Sequence, residues 1–424
     1  MGISHIDGVR APDFLDKSPG CDVASLYNFY SARSWIEESA IQQLDELTRK
    51  KGVHQIASFP DLHPGKFGPV GVSILADRVY PHLIGNDIGC GMSLFLLDIE
   101  VRKLKLDKCA QKLRQLEGPF FKDGNDSSPF NDDLSSRLDR YGLLELSETE
   151  NLFLQSLGTI GGGNHFCELQ AIGDVFDEVV FDELKLNKNS VLLFVHSGSR
   201  GFGMSVFQTV QDCFEQGLRD NSLELGNYLN LHDAAVRWAS LNRQIIAERA
   251  AHALRAEVKL LVDCPHNLVE RYDDGFIHRK GAAKADLPVV PIAGSRDALS
   301  FLVKPSGDID QKKRSLFSLA HGSGRKYDRK SMKGRVGTNK SDLNKLERTS
   351  FGGQVICEDK QLLVEEAPTA YKNSKTVLTD LVEAQLVSPV LSLKPLLTFK
   401  KAQVLKKNDF KRDAKLSRKR RFRS

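Results

Sequence analysis

What most constrains this chain is a recurring device: short turns, most of them rich in glycine, each holding a His, Cys or Asp. They fall at residues 60–65 (PDLHPG), 85–92 (GNDIGCGM), 158–166 (GTIGGGNHF), 196–201 (HSGSRG), 264–267 (CPHN), 294–297 (GSRD) and 321–325 (HGSGR). One such turn means little, because a lone glycine cluster usually only reverses the chain and a lone histidine is usually a hydrogen-bonded structural residue. Recurrence alters that reading. Glycine lets backbone N–H groups come close to an anion or a nucleotide, and several of these turns directly follow apolar runs, as Val191-Leu192-Leu193-Phe194-Val195 precedes His196. Loops at strand ends are where folds that mix helix and strand gather their chemistry.

Hydrophobic periodicity predicts such a mixture. Helices are expected over residues 34–50, where Ser34 and Glu37 have the spacing of a capping box, over 104–116 and over 233–260. β-rich runs fall at 70–76, 92–99, 191–195 and 287–292. Residues 118–151 turn polar and read as an exposed excursion, helical near its end. There is no internal repeat and no boundary dividing residues 1–393. At 424 residues, 41% apolar and 27% charged, the chain can bury a large core, which excludes collagenous, disordered and small disulfide-scaffold classes. The seven cysteines are odd in number, with no CxxC pair, so neither a disulfide framework nor a structural zinc site is expected. No run of 18 apolar residues exists and the N-terminus lacks a basic-then-apolar leader, so the expected compartment is the cytosol, with no membrane partner.

Charge is unevenly spread. Residues 394–424 contain 13 basic and 2 acidic residues, so the total of +5 divides into a body of −6 over residues 1–393 and a tail of +11. A polyanionic partner, reached at one end, is the natural reading.

Among the turn residues, Asp87, Cys90, His165, His196 and His266 form a mixed oxygen, sulfur and nitrogen donor set. That set suits borderline divalent ions such as Mn²⁺, Co²⁺ or Zn²⁺ better than Mg²⁺ or Ca²⁺, which favour oxygen. Spacing alone does not show that the donors converge. His321 stands apart, in a turn with two glycines and Arg325, where an imidazole beside a phosphate can act as acid, base or covalent nucleophile. His63, in a proline-flanked turn, is compatible with a purely structural role.

The ordered motifs DLHPG, NDIGCGM, GTIGGGNHFCE, HSGSRG, HN, HRKGA, GSRDALS and HGSGR resemble the RtcB family of GTP-dependent RNA ligases, over residues 61–401. The PDLHPG and GSRDALS segments look most like the bacterial branch often paired with peptide release factor H. The resemblance implies an α+β fold, a single large domain over residues 1–401 with central β-sheets flanked by helices, followed by a flexible basic tail at 402–424. It implies joining of RNA ends bearing a 3′-phosphate or 2′,3′-cyclic phosphate, such as tRNA or rRNA fragments, to 5′-hydroxyl ends, in RNA repair or tRNA splicing. The cofactors implied are GTP and two Mn²⁺ ions per active site.

By motif match, His321 is the nucleophile that becomes guanylylated, and Asp87, Cys90, His165, His196 and His266 hold the metals, with the Cys90 sulfur bridging them. Guanine-nucleotide contacts carry over to Asn164, Glu168, Asn267, Ser295, Ser300, Gly324 and Lys400. Arg200 and Arg325, fork-shaped and always charged, fit phosphate or RNA-end clamps. Two other readings use the same residues. One is a Mn²⁺-dependent phosphodiesterase or phosphatase with water as nucleophile; the other is a non-catalytic RNA-binding protein on the same fold.

Overall fold

The computed structural model describes residues 23–118, 120, 134–213, 215–273 and 275–402. Its organising element is an eight-stranded sheet in the order Val290–Ile292, Ser300–Pro305, Val387–Lys401, Phe166–Val175, Ser190–Ser197, Gly91–Glu100, Val258–Pro265, with Gln354–Cys357 branching onto Val387–Lys401. The seven strands along the path pair antiparallel, and the branch pairs parallel. A second sheet runs Ser25–Asn28, Val53–His63, Val70–Ala76, Gly275–Lys280, Asn267–Tyr272. The chain steps from the first sheet to the second at a single residue, His266. The fold class is α+β, as the resemblance implied.

Every residue of Ser190–Ser197 is buried, which is what an uninterrupted VLLFV run requires of a strand covered on both faces. Period-two alternation sorts its side chains. Val191, Leu193 and Val195 meet Ile246, Ala247 and Ala250, while Leu192 and Phe194 meet Leu302, Leu391 and Leu393 from elsewhere in the core. Ile246, Ala247 and Ala250 belong to the helix Leu223–Leu254, which lies across Ser190–Ser197, Gly91–Glu100 and Val258–Pro265.

Several boundaries differ from expectation. The long helix, expected at 233–260, begins ten residues earlier, where Ser222 accepts from the Leu225 N–H as N-cap. It ends when Arg255 turns left-handed at φ 63°, and residues 258–260 join a strand instead. The helix expected at 34–50 spans Glu38–Thr48, because the Ser34 hydroxyl donates to Asp380 and caps nothing. The expected helix at 104–116 is Leu106–Leu113 plus a 3₁₀ turn at Arg114–Leu116, and the run at 287–292 contributes only Val290–Ile292. Within the polar excursion, the helices Leu134–Arg140 and Leu144–Thr149 answer the helical end, while 119 and 121–133 lie outside the described residues. So do residues 403–424 of the basic tail. No helix among the described residues is long and apolar enough to cross a membrane.

Candidate active site

Register explains why the scattered turns meet. Met92 lies opposite both His196 and Cys264, Phe166 lies opposite His196, and Phe399 lies opposite Cys167. One end of the large sheet therefore gathers Cys90 just before one strand, His165 just before the next, His196 at the close of a third, His266 just after a fourth, and Lys400 beside them. Glycine permits the approach of the loops. A Cβ on Gly198 would fall 2.0 Å from Asp87 Oδ1, and one on Gly324, at φ +68°, would fall 2.1 Å from the Asp61 carbonyl oxygen.

The donor atoms fall into two overlapping groups, Cys90 with His196 and His266, and Asp87 with Cys90 and His165, each with all ligand atoms within 4.8 Å of one another. Cys90 belongs to both. Its Sγ is 3.2 Å from His196 Nε2 and 3.3 Å from His165 Nε2, which is itself 2.9 Å from Asp87 Oδ2. The Ile160 carbonyl, 3.1 Å from His165 Nδ1, can only accept, so Nδ1 carries a proton and Nε2 is the ring nitrogen turned toward thiol and carboxylate. Burial pushes the Cys90 thiol well above its usual range, with Asp87 adding to the effect. Burial also holds His196 and His266 well below the usual imidazole range, so both rings stay neutral and able to ligate. For Asp87, burial works upward, but His165, Cys90 and Arg200 outweigh it and keep the carboxyl low. His266 Nδ1 is buried with no hydrogen-bond partner among the described residues. Electron-pair donors converging on one thiol, in a buried pocket, are chemically suited to holding a divalent cation.

A cavity open to solvent extends from these groups to His321. His321 directly follows the strand Ser318–Ala320, and its Nδ1 is 2.7 Å from Asp61 Oδ2, which also accepts the His321 backbone N–H at 3.2 Å. A carboxylate holding the Nδ1 proton leaves the ring's lone pair on Nε2. Asp61 is fully buried, and the turn that carries it is pinned by the buried Lys372 ammonium, which donates to the Pro60 and Leu62 carbonyls. His63 lines the same cavity, its Nδ1 2.8 Å from the Asp61 carbonyl, and burial takes its pKa down to about 4.

Of the residues expected to contact nucleotide, Asn164, Glu168, Asn267, Ser295, Gly324 and Lys400 line the cavity. Ser300 lies behind the wall, where its Oγ accepts from the Gly294 N–H and from Gln170. Glu168 accepts from Gln170 Nε2 at 2.6 Å and from the Thr398 hydroxyl, and burial raises its carboxyl nonetheless. Lys400 donates to the His165 carbonyl at 3.1 Å, and burial lowers its pKa to about 8.

The two arginines differ. Arg200 takes up left-handed backbone at φ 55°, feels the charges of Asp87 and Cys90, and keeps its buried Nε without a partner among the described residues. Arg325 lines the cavity, but its guanidinium already donates to Glu366, to the Glu365 carbonyl and to the Tyr327 carbonyl.

Asp61, Tyr371, Thr398, Glu366 and Arg243 escaped the sequence reading. Asp61 stands in a quoted motif, yet nothing local shows that its partner lies 260 residues away. Tyr371 presents an aromatic wall to the cavity, held by its hydroxyl on Glu366. Arg243, fully buried, donates to the Gly89 and Ser197 carbonyls at 2.8 and 2.9 Å and pairs with Asp263, bracing the turns that carry Cys90 and His196.

Comparison with known proteins shows the family. The RNA-splicing ligase RtcB2 of Escherichia coli is 39% identical over 382 residues, covering 89% of this chain and 96% of that protein. The tRNA-splicing ligase RtcB of Archaeoglobus fulgidus is 27% identical over 464 residues, covering 89% and 94%. A homologue in Entamoeba dispar, RNA-splicing ligase RtcB homolog 1, is 26% identical over 443 residues, covering 85% and 82%. The family model described as tRNA-splicing ligase RtcB matches residues 43–130 and 136–401, and the chain belongs to the RtcB family of RNA ligases.

Proposed function

We propose that this protein joins an RNA 3′-phosphate to an RNA 5′-hydroxyl, using GTP through a guanylylated His321. The observation that carries the reading is the 2.7 Å contact between His321 Nδ1 and buried Asp61, in a cavity whose other wall is the Cys90 donor cluster. His321 Nε2 attacks the α-phosphorus of GTP; a P–N bond forms and pyrophosphate leaves. The guanylyl group then passes to an oxygen of the RNA 3′-phosphate, freeing the imidazole. Finally the 5′-hydroxyl oxygen attacks the activated 3′-phosphorus, a phosphodiester forms and GMP leaves. A cyclic phosphate end enters once water has opened it. Covalent passage through histidine divides one difficult displacement into easier ones.

Asp61 holds the Nδ1 proton throughout and stabilises the charge that develops on the ring. Bound divalent cations, for which the donor set suits Mn²⁺, would offset phosphate charge and polarise phosphoryl oxygens. Asp87, Cys90, His165, His196 and His266 would hold them. Glu168 has lone pairs left to accept from guanine N1–H and the exocyclic amine, a donor pair adenine lacks. The Tyr371 ring offers a face on which a base can stack. Arg200, whose buried Nε lacks a partner among the described residues, gains one if an RNA phosphate oxygen arrives. Asn164, Asn267, Ser295, Gly324 and Lys400 complete the nucleotide contacts, and Ser300 acts through Gly294 and Gln170. The names of the relatives point to RNA or tRNA splicing as the setting.

The test is an RNA bearing a 3′-phosphate and a 5′-hydroxyl, incubated with the protein and Mn²⁺. Joined product that appears with GTP and not with ATP supports the reading. Phosphate release from the end without joining would instead support hydrolysis by a metal-activated water.

A further inference from the structure

A second cavity shares Tyr371 as a wall with the first and is lined by Arg33, Ser34, Trp35, Lys326 and Tyr327 among others. Trp35 is 50% exposed, an unusual state for the largest apolar side chain, and its ring centroid lies 6.5 Å from that of Tyr327. Cations are interleaved with these rings. Lys326 Nζ stands 5.1 Å from the Trp35 centroid and 5.3 Å from the Tyr327 centroid, and the Arg335 guanidinium stands 3.7 Å from the Tyr327 centroid. Arg33 is paired with Glu383, but Lys326 and Arg335 make no ion pair among the described residues.

The platform is preorganised. Ser31 donates to the buried Asp380 carboxylate through its N–H at 3.1 Å and its hydroxyl at 2.7 Å, and Ser34 adds a third bond, so the segment presenting Trp35 is held to the helix Ser374–Glu383. On the other side, the Lys326 N–H donates to the Ala370 carbonyl at 2.8 Å. Lys326 and Tyr327 directly continue the turn that begins at His321, so this second cavity is tied mechanically to the reacting centre.

An exposed indole beside a half-buried phenol ring, with an ammonium near both and a guanidinium over the second, is what single-stranded nucleic acid binds: each base offers a π-face and each phosphate a negative charge. We propose that the second cavity is a base-stacking subsite for the RNA strand whose end occupies the first. Trp35 and Tyr327 take a nucleobase near the reacting end, and Lys326 and Arg335 take the adjoining phosphate. The assignment rests on the ligase reading for the identity of the strand.

The chain has two tryptophans, and the other, Trp238, is fully buried, so solvent-sensitive emission changes report on Trp35. The full-length protein is titrated with a single-stranded oligoribonucleotide ending in a 3′-phosphate, and tryptophan emission is followed together with anisotropy of a labelled oligonucleotide. Quenching that saturates alongside the anisotropy is expected, and Trp35→Ala should abolish it and weaken binding roughly tenfold. Trp35→Phe, which keeps a stacking face, should hold affinity within roughly threefold of wild type and guards against a folding defect in the alanine variant. Oligonucleotide binding with unchanged emission and equal affinity in Trp35→Ala overturns the subsite, as does the absence of any binding. Labelling of the same wild-type preparation by radioactive GTP separates the two claims. Labelling with a silent Trp35 leaves the ligase reading standing and removes the subsite, whereas quenching without labelling or joining does the reverse.

Discussion

An imidazole attacks through one nitrogen only when the proton on the other is held, and Asp61 holds it for His321. Replacing Asp61 by Asn exchanges a charge-assisted bond for a neutral one, which is expected to cut the rate of labelling by GTP about tenfold; an unchanged rate in a single-turnover assay would remove Asp61 from the account. Cys90 makes a different prediction. Because burial pushes its thiol well up, a cation that binds there must displace the proton, so adding Mn²⁺ to metal-free protein in weak buffer should release a proton. Cys90→Ser should lose that release along with bound metal, measured by inductively coupled plasma mass spectrometry; metal content equal to wild type would remove Cys90 from the metal ligands. Lys400 sets a pH limit. With its pKa lowered to about 8, it is charged below that pH and neutral above it, so labelling should weaken as pH rises through 8. Lys400→Met should be weaker below pH 8 and show no further fall above it.

The helix Leu223–Leu254 shows how much an element reveals of itself. Its apolar spacing at Trp238, Leu241, Ile245 and Ile246 was legible, because burial of one face imposes a 3.6-residue period whatever the partner. What the period hides is that Asn242 and Arg243 lie on the buried face, where Asn242 donates to the Thr159 and Gly198 carbonyls and Arg243 braces the metal-site turns. A polar residue between apolar ones reads as solvent-facing until its partners are known, and those come from other strands. The same holds for the strand Val387–Lys401, whose Thr398 and Lys400 reach the site only through pairing with Phe166–Val175. Arg243→Met should therefore destabilise the fold by about 3 kcal/mol, the lower end for a broken buried pair because Asp263 keeps some solvent contact, and should also lower metal content. An unchanged urea midpoint would show that the brace carries no energy.

Over the whole molecule, the uneven charge was plain in the sequence but said little about where chemistry occurs. The turns forecast the donor set because glycine and ligand types coincide locally, whereas their meeting at one end of a sheet depends on register, a long-range property. Four cations, Arg296, Arg325, Arg329 and Lys400, line the cavity against the carboxylates of Asp87, Glu168 and Glu366, so its wall is close to neutral before any cation binds. Affinity for RNA must then draw on placed groups such as Arg200 and on charge elsewhere. Removing residues 403–424, with ten basic and two acidic residues, should weaken RNA binding and flatten its dependence on salt while GTP labelling persists. A salt slope equal to that of the full chain would exclude the tail as an RNA contact.

The central claim is covalent chemistry at one nitrogen. Incubation of the full-length protein with GTP and Mn²⁺, followed by digestion under alkaline conditions and peptide mass spectrometry, is predicted to find a guanylyl group on His321 and none in His321→Ala. A protein that joins RNA ends with no adduct, or with the adduct on Lys400 or another residue, would contradict it.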